Sequence, residues 1–285
     1  MSNPGPRCAN NVRPQRKHAW KNSLEDHFAI EVTVGYSQLF GPHVWGELRH
    51  RLLDFQEQRL RLMDEWGVEI MIASFNAPGV QAIPDVKRAI EVARQANDVL
   101  ADEVAKRPDR FFGFAALPMQ DPETATRELQ RCTCDLGFKG ALVNGYAELD
   151  GKPLHYDLPQ YRPFWRALEA LDVPFYLHPR PPMAGVSPLY DGHPWLFGPT
   201  WSFAAETALH ALRLIGSGLF DDCPRLQIIL GISARGCRSI SGASTTRTIG
   251  FGRRHRPETR RRSGCQIISV PIFISPRPAI SAHPR

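Results

Sequence analysis

No uninterrupted apolar run in the 285 residues approaches the roughly 20 that a membrane-spanning helix requires, so no membrane partner is expected. The segment before Asn22 also lacks the apolar centre of a secretory signal, and a cytoplasmic location follows as the expectation. Six cysteines are present, Cys8, Cys132, Cys134, Cys223, Cys237 and Cys265, but they form no CxxC pair and no zinc-module spacing. Reduced thiols are therefore expected. Acid is scarce in the C-terminal stretch: residues 232–285 carry eleven Arg, no Lys and a single acid, Glu258.

That local scarcity accounts for the net charge of +6. Five bases and no acid precede Asn22, and residues 22–231 hold 19 bases against 28 acids, a balance of −9. An Arg-rich tail would favour salt-dependent contacts to phosphates. It lacks aromatic platforms and any nucleic-acid-binding motif, so no nucleic-acid partner is expected. Its clustered Arg, Ser, Pro and Gly show no sustained period, which predicts little order.

Between 24 and 231, short β-branched runs alternate with amphipathic segments, the pattern of repeated βα units on a parallel sheet. Six strands are predicted, at 23–28, 68–74, 111–116, 140–144, 174–178 and 226–230. One helix is read through Leu52, Phe55, Leu60, Leu62 and Met63 up to Gly67, and another through Ile90, Ala93, Ala96, Val99, Leu100 and Val104 up to Pro108. Asp121-Pro-Glu opens a further helix with an acidic cap and Pro in its first turn, running to about Asp135 before Gly137. Stretches 31–47 and 179–201, rich in Pro, Gly and aromatics, read as long loops that cover a site. The predicted organisation is an extension at 1–22, an incomplete (β/α)8 TIM-like barrel at 23–231 and a disordered tail at 232–285.

A parallel barrel gathers its chemistry at the C-terminal ends of its strands. Glu25 and His27 close the first strand two residues apart, on one face of an extended segment, and a carboxylate beside an imidazole suits a divalent transition metal. His178 ends the fifth predicted strand before a Pro that stops pairing; it is a candidate ligand or a surface histidine. Asn144 ends the fourth, where it could hold a substrate oxygen or form a turn with Gly145. His193 and Trp195 sit in the second long loop and could line a substrate pocket. His210, inside a helix, reads as a packed or capping histidine. Cys132 and Cys134 point in different directions on theirs, which argues against paired ligation.

Several longer motifs occur in unbroken order. They are Glu25-Asp-His-Phe, Phe75-Asn-Ala-Pro-Gly-Val-Gln-Ala-Ile, Ala116-Leu-Pro-Met-Gln-Asp-Pro, Gly140-Ala-Leu-Val-Asn-Gly, Tyr156-Asp-Leu-Pro-Gln-Tyr-Arg-Pro-Phe-Trp, Tyr176-Leu-His-Pro-Arg and Tyr190-Asp-Gly-His-Pro-Trp-Leu. Together they resemble the gamma-resorcylate (2,6-dihydroxybenzoate) decarboxylases of the amidohydrolase superfamily. The resemblance implies an amidohydrolase-type barrel, a homo-oligomer (dimer or tetramer), and one zinc or manganese ion held by Glu25, His27, His178 and an eighth-strand aspartate. It implies a small aromatic acid as substrate and non-oxidative release of CO2. A metal-dependent hydrolase of the same superfamily would share these ligands.

The resemblance stops at Gly231. The family continues with a histidine and a Gly-Glu-Gly turn, whereas this chain continues Ile232-Ser-Ala-Arg-Gly. The codons GGC ATC TCG GCG AGG GGC TGC CGT encode the observed residues from Gly231 to Arg238, and one C restored after the first of them yields Gly-His-Leu-Gly-Glu-Gly-Leu-Pro. The same offset gives family-like sequence from Gln266 to Ser281. A single-base deletion is the expectation, with the sixth-strand histidine and the eighth-strand aspartate lost and activity impaired.

Overall fold

β-Branched and aromatic residues pack well on a pleated surface, and they make up half or more of the strands Val68–Phe75, Phe111–Gly113, Phe175–His178 and Gln227–Leu230. The computed structural model describes residues 21–37, 42–183, 190–231 and 266–269. Its strands are β1 (Lys21–Phe28), β2 (Val68–Phe75), β3 (Phe111–Gly113), β4 (Ala141–Asn144), β5 (Ala147–Leu149), β6 (Lys152–Leu154), β7 (Phe175–His178), β8 (Gln227–Leu230) and β9 (Gln266–Ser269). All six predicted strands are present, as β1 to β4, β7 and β8. β1 begins at Lys21, so the last two residues of the expected N-terminal extension are strand; the rest of that extension lies outside the described residues.

Two features were not predicted. β5 and β6 form an antiparallel hairpin across Asp150-Gly151, both in the left-handed region at φ 51 and 70, a turn signal of the Asp-Gly kind that the sequence did carry. β9 comes from the tail and pairs in parallel along the whole of β8, so regular structure occurs where none was expected. Its two adjacent isoleucines suit a strand. The rest of the tail, where the expected single-base deletion falls, lies outside the described residues.

The helices are α1 (Pro42–Leu53), α2 (Gln58–Trp66), α3 (Val86–Lys106), α4 (Pro122–Gln130), α5 (Arg162–Leu171), α6 (Ser202–Gly216) and α7 (Leu219–Asp222). The single helix read through Leu52 and Met63 is two. Asp54 breaks it, its carboxylate accepting from the backbone N–H of Arg59 at 2.7 Å and of Glu57 at 3.2 Å, which starts α2 afresh. α1 also takes up part of the expected 31–47 loop. Asp121 caps α4 through the N–H groups of Glu123 and Thr124 at 3.0 and 3.2 Å, with Pro122 in the first turn, as the sequence predicts. Gly67, at φ 65, ends α2.

β1, β2 and β3 pair in parallel in that order, as do β4, β7, β8 and β9. The parallel bridge from Ala115 to Ala141 joins the two groups. In a flat sheet, the four steps from β1 to β7 would separate them by about 19 Å. Instead Tyr176 on β7 donates a hydrogen bond to Glu25 on β1 at 2.7 Å, so the sheet is rolled into a barrel wall. Phe114, Leu142, Tyr176 and Ile229 fill its interior. Ala73, Val143, Phe175, Leu177 and Ile228 face outward into the larger core under the helices.

Buried polar side chains pin the ends of the strands. Asn97 on α3 donates to the Ala116 carbonyl at 2.9 Å and accepts from the Ala116 N–H at 2.8 Å, while also donating to Glu128 at 2.8 Å. His210 on α6 is packed, and its Nε2 accepts from the Tyr156 N–H at 3.1 Å. His155 meets it edge-on at 4.9 Å. Burial holds His210 well below the usual imidazole range and brings His155 down to about 4.

Two outcomes follow. Asn97→Leu keeps the branched shape and the number of heavy atoms but strands both Ala116 backbone groups, and should lower the unfolding free energy by about 1–3 kcal/mol; a denaturant titration giving no change contradicts it. His155 is neutral in the fold but protonates near 6.5 when unfolded, so its contribution is complete above pH 6.5 and is lost as pH falls toward 4. The urea midpoint should therefore drop more between pH 7.5 and about 5.5 in the parent than in His155→Asn, and equal drops would rule this out.

Candidate metal centre

β1 carries one extra residue against β2: Ser23 pairs with Met71 and Asp26 with Ala73. Such a bulge re-aims side chains, and here Glu25 and His27 both turn into the barrel. His178 closes β7 on the same inner face as Tyr176. The ligand atoms of Glu25, His27 and His178 lie within 4.8 Å of one another. Glu25 Oε1 is 3.3 Å from His178 Nε2, and the rings of His27 and His178 meet edge-on at 4.7 Å.

The surroundings suit a cation. Burial, then the neighbouring His178, holds His27 well below the usual imidazole range, so its ring stays neutral as metal ligation requires. One carboxylate and two imidazoles are a donor set for zinc or manganese. His27 Nδ1 is 3.1 Å from the Ser74 hydroxyl, and the Glu25 carboxylate accepts from the Tyr176 hydroxyl at 2.7 Å. Among the described residues this is the only such cluster of three.

Asn144 sits beside His178 in register on the adjacent strand and is buried. Its N–H donates to Gln81 Oε1 at 3.0 Å and its side-chain amide to the Phe75 carbonyl at 3.4 Å. Asn144 Oδ1 is buried without a protein partner, as is His178 Nδ1. His193 and Trp195 are both exposed, their rings 4.8 Å apart, in the turns ahead of α6. Cys132 is buried and Cys134 exposed, so the two do not share a site.

Ser74, Tyr176 and Gln81 were not singled out from sequence. A usable signal existed for the first two. Ser74 is the polar residue near the C-terminal end of β2, after the apolar run Ile70-Met-Ile-Ala, and Tyr176 shares strand parity with His178. A cavity of about 480 Å³ runs along β1 and under α1 and α2, touching Glu25, Asp26, His27, Arg59, Trp66 and Met71. Among the described residues β1 pairs only with β2, so one of its edges is unpaired there.

The comparisons with known proteins agree with this geometry. The amidohydrolase family profile matches residues 17–231. The gamma-resorcylate decarboxylase of Rhizobium sp. (strain MTP-10005) is 66% identical over 219 residues, covering 76% of this chain and 67% of its own length. The chain thus spans about two thirds of that relative. A crystal structure of 2,6-dihydroxybenzoate decarboxylase complexed with 2,6-dihydroxybenzoate superposes with a TM-score of 0.76 at 63% identity, covering 78% of this chain and 69% of that one. A dihydroxybenzoic acid decarboxylase from Polaromonas sp. JS666, with bound manganese and the inhibitor 2-nitroresorcinol, gives 0.74 at 50% identity over 88% of this chain and 77% of that one. The chain belongs to the amidohydrolase family.

Proposed function

We propose that this chain derives from a cytoplasmic, metal-dependent, non-oxidative decarboxylase of a hydroxybenzoate such as 2,6-dihydroxybenzoate, working as a homo-oligomer (dimer or tetramer). The observation that carries the reading is the convergence of Glu25, His27 and His178 within 4.8 Å, at the C-terminal ends of parallel strands. The named activities of its relatives favour decarboxylation over the hydrolase alternative.

Glu25, His27 and His178 would hold one divalent ion, manganese or zinc. When bound, the ion supplies Lewis acidity and a template for the carboxylate and the ortho hydroxyl. The chain's own residues do the rest. Asn144 Oδ1, buried and unpartnered, would accept a hydrogen bond from a phenolic hydroxyl. Phe114, Leu142, Tyr176 and Ile229 form a dry floor beneath the site, which strengthens every polar interaction above it. Decarboxylation replaces the carboxylate by a proton: the C–C bond pair stays with the ring carbon, that carbon takes up a proton, and CO2 leaves.

The acid expected to deliver that proton would come from an eighth strand, and after Gly231 the sequence no longer supplies it. Among the described residues β1 pairs only with β2, which accords with that reading. The chain as it stands should therefore bind metal but turn over poorly, and the version with one base restored should release CO2. The test is CO2 evolution from 2,6-dihydroxybenzoate by both forms, beside aryl esters and lactones. The restored form should act on the acid and not the esters, and changing Glu25, His27 or His178 to Ala should cost it roughly a thousandfold or more. Hydrolysis of the esters with no CO2 from any dihydroxybenzoate would reverse the assignment.

A further inference from the structure

We infer that the hydroxyls of Tyr176 and Ser74 are positioning groups, which fix one oxygen of Glu25 and one nitrogen of His27 as the atoms that face the ion. The inference rests on the metal reading above and extends it to two residues that would not touch the ion.

The assignment comes from counting donors and acceptors. Ser74 Oγ is 3.1 Å from His27 Nδ1 and 3.3 Å from the backbone carbonyl of Asp26. A carbonyl oxygen only accepts, so the hydroxyl proton goes to Asp26 and the hydroxyl oxygen accepts from Nδ1–H. The His27 lone pair is then left on Nε2. Ser74 is fully buried, so no water competes for that arrangement. An imidazole whose second nitrogen is held in this way keeps its tautomer and ring orientation.

Tyr176 does the equivalent for the carboxylate. Its hydroxyl donates to Glu25 Oε2 at 2.7 Å, while Oε1 stands 3.3 Å from His178 Nε2. One oxygen is thus committed to the phenol and the other turned toward the two imidazoles. The Tyr176 ring is itself fixed, fully buried in the inner core with Phe114, Leu142 and Ile229.

Gly231 completes the arrangement. A Cβ at that position would stand 2.9 Å from the Tyr176 hydroxyl and 3.0 Å from Pro179 Cδ. Any side chain there must push on the hydroxyl that holds Glu25. The backbone of Gly231 is tied to β7 through its N–H to the Leu177 carbonyl at 3.0 Å, so relief would have to come from the tyrosine.

Titrating Mn(II) into the full metal-free chain, followed by the electron paramagnetic resonance of the free ion, tests this without any assay of activity. Tyr176→Phe and Ser74→Ala each remove one oxygen and add no volume. Each should weaken Mn(II) binding by about 10- to 100-fold, with the thermal midpoint of the metal-free protein unchanged. Gly231→Ala should weaken it in the same direction with both hydroxyls still present. Full affinity in the Phe and Ala variants at positions 176 and 74 would overturn the inference, as would a loss that merely tracks a lowered midpoint. Failure of the unaltered chain to bind Mn(II) would overturn the metal reading itself, a result distinct from either.

Discussion

The hydrogen bond between Tyr176 and Glu25 exists because the sheet rolls up, and the chemistry of this chain depends on that closure. Residues 151 positions apart in sequence meet at 2.7 Å. No local propensity demands this contact. It arises because seven parallel strands, each twisted in the right-handed sense, curl until the first faces the fifth across a small apolar interior. The strand ends then point their polar residues at one another, and a carboxylate and two imidazoles occupy a volume too small to leave them independent.

Burial sets the character of that volume. Removing the ring of His27 from water keeps it uncharged, and the Ser74 hydroxyl meets its remaining N–H. Glu25 keeps its Tyr176 partner. Asn144, next to His178 in register, holds its backbone and amide hydrogens to the protein and leaves a single oxygen without a partner. A cation held by Glu25, His27 and His178 would thus lie near an oxygen able to accept a hydroxyl proton, over an aromatic and aliphatic floor. A phenolic acid carries on one ring a carboxylate for such an ion and a hydroxyl for that oxygen.

Much of this was legible in the residues. Apolar runs closing in Asn144 and His178, and the Glu25-Asp26-His27 triplet on the first strand, gave both the strands and the candidate ligands, because strand parity and the polarity of a parallel barrel are local properties. The Asp54 break between α1 and α2 was missed because apolar spacing alone does not register a side chain that caps a new helix. The hairpin at Asp150-Gly151 was overlooked although its turn residues were in plain view. Ser74 and Tyr176 were harder. Their partners are set by the β1 bulge and by the curl of the sheet, and neither is written in any short window. For His193 and Trp195 a place in a long loop suggests a pocket, and both are exposed in the turns ahead of α6.

The most direct measurement is anomalous diffraction at the manganese edge from crystals of the chain soaked in Mn(II). This account predicts one strong peak per chain, bounded by Glu25 Oε1, His27 Nε2 and a nitrogen of His178. A peak elsewhere, one reached through His27 Nδ1, or no peak at all would contradict it.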